Sequence, residues 1–380
     1  AHNRRRHWNM PALFQPGDDT YVLLAEANVL RDQCGAYLTN RENASTYEVK
    51  LVDEQFICPA EWKSPWRLAI VGSLADVVES TLVTDVSDPC RLEDTSWIKP
   101  GVVSWIYWAH NHGSQDYQIV KQYIDFADTL DLPYVLIDAE WDVMRNGGTL
   151  PDALAYSRSK GVAPMIWYNS STAWISGPGP GFRLNDPEKR DSEFAWISDM
   201  GVKGIKVDFF GGDKQETMRL YEGILSDADD HGLMCIFHGC TLPRGWERMY
   251  PNYVGSEAVL ASENLKFNQY WDDNEAYNAS LHPFIRNAVG PMEYTPGAMF
   301  STQPDVYSAR RPNSGSIGTR AYQMALFVVF ESGLQMLADN PTMYYNNDDC
   351  TRFISSVPVL WDETKALSAK VGDHVVVAKR

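Results

Sequence analysis

The stretch Gly204-Ile-Lys-Val-Asp-Phe-Phe-Gly-Gly-Asp-Lys-Gln215 decides the fold. Ile205, Val207, Phe209 and Phe210 are apolar and strand-forming, and Lys206 and Asp208 alternate with them. Successive strand side chains point to opposite faces, so Lys206 and Asp208 share one face. Two opposite charges there have two explanations: a structural ion pair, or a carboxylate that performs chemistry beside a cation.

The segments on either side repeat the pattern. Short apolar runs at 102–108, 134–138, 163–168, 204–210 and 233–237 alternate with helical segments at 117–130, 152–160, 187–200 and 214–230. That alternation is the signature of a parallel sheet covered by helices. Later strands are expected at Ala258–Ser262 and Ala288–Tyr294, and a helix at Thr319–Ser332. This count suggests a (β/α)8 TIM barrel over a doubly wound sheet, and no GxGxxG follows the first strand. Residues 1 to about 92 read differently. Short β runs such as Thr20–Leu24, Thr46–Val52 and Trp66–Val71 are separated by polar turns, as in an antiparallel sandwich. The reading is α/β: the end of an N-terminal β-sandwich at 1–94, the barrel at 95–355, and the start of a C-terminal β domain at 356–380. That last part reads as a short helix at Asp362–Ala369 and a strand at Val371–Lys379. Both ends look cut from a longer chain.

Composition narrows the function. The net charge of −17 repels phosphate backbones and anionic lipid, so no nucleic-acid or membrane-surface partner is expected, and without a run of about 18 apolar residues no membrane insertion is expected either. Six cysteines lie at long gaps with no CxxC pair, which excludes a zinc ribbon and does not read as a disulfide framework.

Barrel enzymes act at the C-terminal ends of their strands. The polar and aromatic residues expected there are Trp105 and Trp108, Asp138, Glu140 and Trp141, Trp167 and Asn169, Lys206 and Asp208, His238, Glu257 and Glu263, and Glu293. Carboxylates and aromatics dominate, as in glycoside hydrolysis, where two carboxyl groups face each other across a neutral sugar. Asp208 suits a nucleophile kept ionised by Lys206, and Glu263 suits the acid/base. A Schiff-base role for Lys206 stays open on position alone.

Several stretches carry a family resemblance. They are Ser64-Pro-Trp-Arg67, Ser96-Trp-Ile-Lys-Pro-Gly101, Gly204–Phe210, Phe237-His-Gly-Cys-Thr-Leu-Pro-Arg-Gly-Trp246, Arg248-Met-Tyr-Pro-Asn-Tyr253 and Glu257-Ala-Val-Leu-Ala-Ser-Glu263. In these the chain resembles glycoside hydrolase family 97. The resemblance implies a β-sandwich, a barrel and a C-terminal β domain, with calcium in the active site. Inverting members follow the histidine of strand 5 with a glutamate base, where this chain has Gly239. Retaining members carry an aspartate at the end of strand 4, where it has Asp208. The resemblance therefore implies a retaining exo-acting α-galactosidase with Asp208 as nucleophile and Glu263 as acid/base. Glu257, with Glu263 as a further candidate, matches a calcium ligand, and another ligand would lie upstream of Ala1. Lys206, His238, Asp138, Glu140, Trp141, Trp167 and Asn169 are expected to contact an oligosaccharide or α-galactoside substrate. A periplasmic or secreted bacterial setting goes with this reading. An α-glucosidase of the same family and a truncated carbohydrate-binding fragment are the alternatives.

Overall fold

A computed structural model describes residues 7–40, 46–55, 57–308 and 314–380. The first part forms two antiparallel sheets of three strands. One joins β1 (His7–Asn9), β4 (Ala36–Thr39) and β5 (Glu48–Leu51) in the order β1-β4-β5. The other joins β2 (Ala12–Phe14), β3 (Tyr21–Ala27) and β6 (Trp66–Gly72) in the order β2-β3-β6.

Next comes a seven-stranded parallel sheet rolled into a near-barrel. Its strands are β7 (Gly101–Trp105), β8 (Tyr134–Ile137), β9 (Ala163–Asn169), β10 (Gly204–Asp208), β11 (Met234–Phe237), β12 (Tyr253–Ser256) and, after the two-residue strands β13 (Ser301–Thr302) and β14 (Ser316–Ile317), β15 (Leu334–Met336). Their order is β12-β11-β10-β9-β8-β7-β15. An extended segment fills the gap between β12 and β15. The Glu293 N–H donates to the Ser256 carbonyl (2.8 Å) on one side, and the Ala338 N–H to the Pro296 carbonyl (3.2 Å) on the other.

The helices between strands start where local chemistry dictates. Asp116 accepts from the Gln118 and Ile119 N–H groups at the head of Tyr117–Thr129. Thr149 and Asp152 form a capping box on Leu150–Ser159. Asp186 caps Pro187–Asp199, with the proline in the first turn, where its missing N–H costs nothing. The next helix, Gln215–Asp230, buries Met218, Tyr221, Ile224, Leu225 and Ala228 against the sheet.

Two cores result. Ile205, Val207, Ile166, Tyr168 and Phe237 point outward and pack against the helices. Val103, Trp105, Leu136, Met165, Met234, Ile236 and Met336 fill the barrel interior. Strand β10 is thus sorted by parity: its apolar residues face the helices, and Lys206 faces the interior over the Trp105 ring (4.7 Å).

Three expectations need correction. Residues 258–262 form no regular strand, and the sixth strand is β12, just upstream. Residues 288–294 begin as a 3-10 turn (Asn287–Val289) and continue as the extended closing segment. Residues 362–369 are not helical. They belong to β16 (Thr364–Lys370), which pairs antiparallel with β17 (His374–Lys379). The six cysteines are free, and among the described residues no helix is long and apolar enough to cross a membrane.

Candidate active site

The site forms at the C-terminal ends of β8 to β12 and on the closing segment. At its base lies the ion pair of Lys206 and Asp138. The Lys206 ammonium donates to Asp138 Oδ2 at 3.0 Å, and both residues are only 2% exposed. Trp105 Nε1 donates to the same oxygen (2.7 Å), and the Ala139 N–H to Oδ1 (2.8 Å). Burial opposes the lysine charge, but Asp138, then Asp208 and Glu263, outweigh it and hold the ammonium above its ordinary pKa. This corrects the simplest reading of the opening stretch, because the partner of Lys206 is Asp138, two strands away, and not Asp208. A lysine held so firmly protonated is also a poor Schiff-base nucleophile.

Asp208 is half-buried at the tip of β10. It accepts from the Phe209 N–H (2.8 Å, Oδ1) and, at longer range, from Trp167 Nε1 (3.3 Å, Oδ2). Phe209 adopts φ +63°, which turns the chain sharply after the carboxylate. Burial pushes the Asp208 carboxyl up, against the pull of Lys206 and His238.

Facing it is a cluster of His238, Glu257 and Glu263, whose ligating atoms lie within 4.8 Å of one another. His238 is clamped between two carboxylates: Nε2 lies 3.0 Å from Glu293 Oε2 and Nδ1 lies 3.5 Å from Glu257 Oε2. Burial and Lys206 oppose its protonation, but Glu257 and Glu293 prevail and raise its pKa. Burial, with Asp208 and Glu263 nearby, pushes Glu257 up to about 6. Burial also acts on Glu263, but Lys266, Lys206 and His238 outweigh it and hold that carboxyl below the usual range. The strongest of these is Lys266, whose ammonium sits 2.9 Å from Glu263 Oε1.

Gly239 sets the spacing between the two halves. It has φ +46°, and a Cβ built there would meet Asp208 Oδ1 at 2.9 Å and the Phe209 nitrogen at 3.0 Å. A side chain at 239 and the Asp208 carboxylate compete for one volume. The Gly239 N–H instead donates to Glu257 Oε2 (3.1 Å).

The other expected contacts divide. Trp167 touches Asp208 through its indole N–H. Glu140 lies on the rim, held by His112 and Gln115. Trp141 does not line the site: it is buried in the helix-facing core and donates to the Trp167 carbonyl (2.7 Å). Asn169 is buried too, and its amide binds the carbonyls of Trp174 and Pro178. The residues given no role by the sequence are Glu293, Lys266 and Tyr107. Tyr107 follows β7, and its hydroxyl is pushed up by burial and by Asp138, Glu140 and Glu263. Glu293 was visible as a rim carboxylate, but nothing local marked its grip on His238. A cavity of about 740 Å³ opens at the other end of the barrel, beside Pro100, Gly333 and Lys379, and no residue of the cluster lines it.

Known proteins resemble the chain in sequence and in fold. The family described as Glycosyl-hydrolase 97 N-terminal matches residues 1–89, and that described as Glycoside hydrolase 97 matches residues 97–259. The chain is 32% identical over 372 residues to a "Probable retaining alpha-galactosidase" of Streptomyces bingchenggensis, covering 95% of this chain and 54% of that one. It is 31% identical over 418 residues to a "Retaining alpha-galactosidase" of Bacteroides thetaiotaomicron, covering 100% of this chain and 61% of that one. The chain therefore spans about half to three fifths of the length of these curated relatives. Among solved structures, a β-arabinopyranosidase is 39% identical with a TM-score of 0.84, covering 98% of this chain and 60% of that one. A glycoside hydrolase family 97 enzyme variant from Pseudoalteromonas sp. strain K8, at 23% identity and TM-score 0.82 over 99% of this chain and 62% of that one, shares the fold. Two models of one family match successive stretches that together make up most of the chain, and the chain belongs to glycoside hydrolase family 97.

Proposed function

We propose that this chain is the catalytic part of a retaining exo-acting α-glycoside hydrolase with Asp208 as nucleophile and Glu263 as acid/base. The observation that carries the reading is how close Asp208 lies to position 239, where a Cβ would come within 2.9 Å of its Oδ1. A side chain at 239 would crowd the Asp208 carboxylate, which supports Asp208 as the carboxylate that works opposite Glu263. In the first step an Asp208 oxygen bonds to the anomeric carbon as the glycosidic C–O bond breaks, and Glu263 gives its proton to the leaving oxygen. In the second, water attacks the same carbon, Glu263 takes the water proton, and Asp208 departs. Two inversions give net retention.

The free site is poised unlike the first step, since Lys266 favours ionised Glu263. A leaving group that displaces Lys266 would leave burial less opposed and raise the carboxyl toward the protonated form an acid needs.

Calcium fits the donor set in part. Glu257 and Glu263 offer the hard oxygens it prefers, and their crowding with Asp208 is what a cation would relieve. His238 suits calcium poorly and is already held by Glu293. Bound at Glu257, calcium would supply positive charge beside the reacting centre and leave Glu263 free to carry its proton. The boundaries 1–94, 95–355 and 356–380 belong to the same proposal, and the change from antiparallel to parallel sheet supports the first of them.

The substrate we propose is an α-galactoside, on the strength of the two curated relatives. A β-arabinopyranoside, taken here in the L series, is the second reading, favoured by the 39% identical β-arabinopyranosidase structure. It has the ring configuration of an α-D-galactoside and lacks only the hydroxymethyl group. Nitrophenyl glycosides of the two sugars and of α-glucose test this directly. Hydrolysis of either galacto-configured substrate over the glucoside by at least tenfold is expected, and preference for the glucoside overturns the reading.

A further inference from the structure

A row of aromatic rings leads from the nucleophile to solvent. Trp167 holds Asp208 Oδ2 through its indole N–H. The Phe209 ring packs edge-on to Trp167, with centroids 5.8 Å apart, and Trp174 packs edge-on to Phe209 at 5.0 Å. Trp167 is sealed inside, whereas Trp174 is 54% exposed, and Phe182 on the same loop is 60% exposed.

The loop that carries Trp174 is pinned at many points. The Ala173 N–H and the Ser170 hydroxyl both donate to the Phe209 carbonyl (3.1 and 2.7 Å). Asn169 Nδ2 donates to the Trp174 carbonyl (3.1 Å). The Gly177 N–H donates to the same carbonyl (3.0 Å), and a Cβ at 177 would strike the indole at 2.7 Å. A large exposed ring fixed this tightly costs little entropy to use in binding.

We propose that Trp174, backed by Phe209, is the platform of a leaving-group subsite that takes the second sugar ring of an oligosaccharide substrate. This rests on the hydrolase reading above. The inner end of the site is closed by Asp138, Lys206 and Trp105, each 2% exposed. A terminal sugar therefore enters with its anomeric carbon toward Asp208 and the rest of the substrate outward, along the aromatic row. A pyranose has an apolar C–H face, and an indole face is the matching surface. Asn169 acts here as a positioning residue for the loop.

The test compares Trp174→Ala with Trp174→Phe on two substrates: α-galactosyl fluoride, which has no second ring, and a galactosyl-terminated trisaccharide. For Trp174→Ala, kcat/KM on the trisaccharide should fall about tenfold, mostly through KM, with the fluoride unchanged within about twofold. Trp174→Phe should recover most of the loss. An equal fall on both substrates, or no fall on the trisaccharide, overturns the platform while leaving the hydrolase reading intact. If the unaltered chain turns over neither substrate, the hydrolase reading fails and the platform with it.

Discussion

Asp138 and Asp208 end neighbouring parts of the same sheet, and both feel the Lys206 charge, yet they are opposites. Asp138 is sealed. The Lys206 ammonium, the Trp105 indole and the Ala139 amide occupy its two oxygens, and it is 2% exposed. Asp208 is half open, holds one backbone N–H and one longer indole contact, and is pushed up by its burial. The difference supports the proposal that Asp208, and not Asp138, does the chemistry. A group with its lone pairs already taken is a structural anchor, and a group left short of partners at a strand end is available to a substrate.

The sharpest way to break the comparison is to neutralise each in turn. Asp208→Asn should cut kcat about ten-thousand-fold or more while the melting temperature holds or rises, because a carboxylate disfavoured by its site is removed. Asp138→Asn should leave the Lys206 charge buried without its partner and cost about 3–5 kcal/mol of stability, read by chemical denaturation. The reverse pattern, with Asp208 the destabilising loss, would exchange the two roles.

A second contrast concerns pH. As the proposed nucleophile Asp208 would attack in its ionised form, and burial holds its carboxyl above the ordinary carboxylate value. The acid limb of kcat/KM should therefore fall at higher pH than a free aspartate would give. Lys206→Met should move that limb further up, since it removes a charge that lowers the Asp208 value. A limb that stays in place would detach Lys206 from Asp208. The smallest effect is expected at Trp167→Phe, which deletes only the 3.3 Å indole contact. A loss of several-fold in kcat, with the acid limb again shifted upward, is the outcome to check by steady-state kinetics.

The sequence made the first five barrel strands legible because they are mostly buried, mainly apolar runs between helical segments. It misplaced the sixth because Tyr253–Ser256 is only four residues long and contains a glycine, while the more apolar stretch after Glu257 is a loop. β15 escaped notice at three residues. The 364–370 segment resembled a helix in its Ala, Lys and Leu content, and only pairing with β17 makes it a strand. At the site, alternation correctly set Lys206 and Asp208 on one face. It could not say that Asp138, level with them across β9, would take the ammonium. Trp141 and Asn169 read as site residues because they end strands, but the first turns outward into the core and the second staples a loop. Glu293 and Lys266 lie where local pattern is weakest.

The most direct test of the central claim is chemical rescue. Asp208→Gly opens a space beside the anomeric carbon, and azide can occupy it. With an α-galactosyl substrate carrying an activated leaving group, the variant should be inactive alone and regain activity with azide, releasing the β-galactosyl azide identified by NMR. Near-unaltered hydrolysis by the variant without azide, or rescue that yields the α-azide, would contradict Asp208 as the nucleophile.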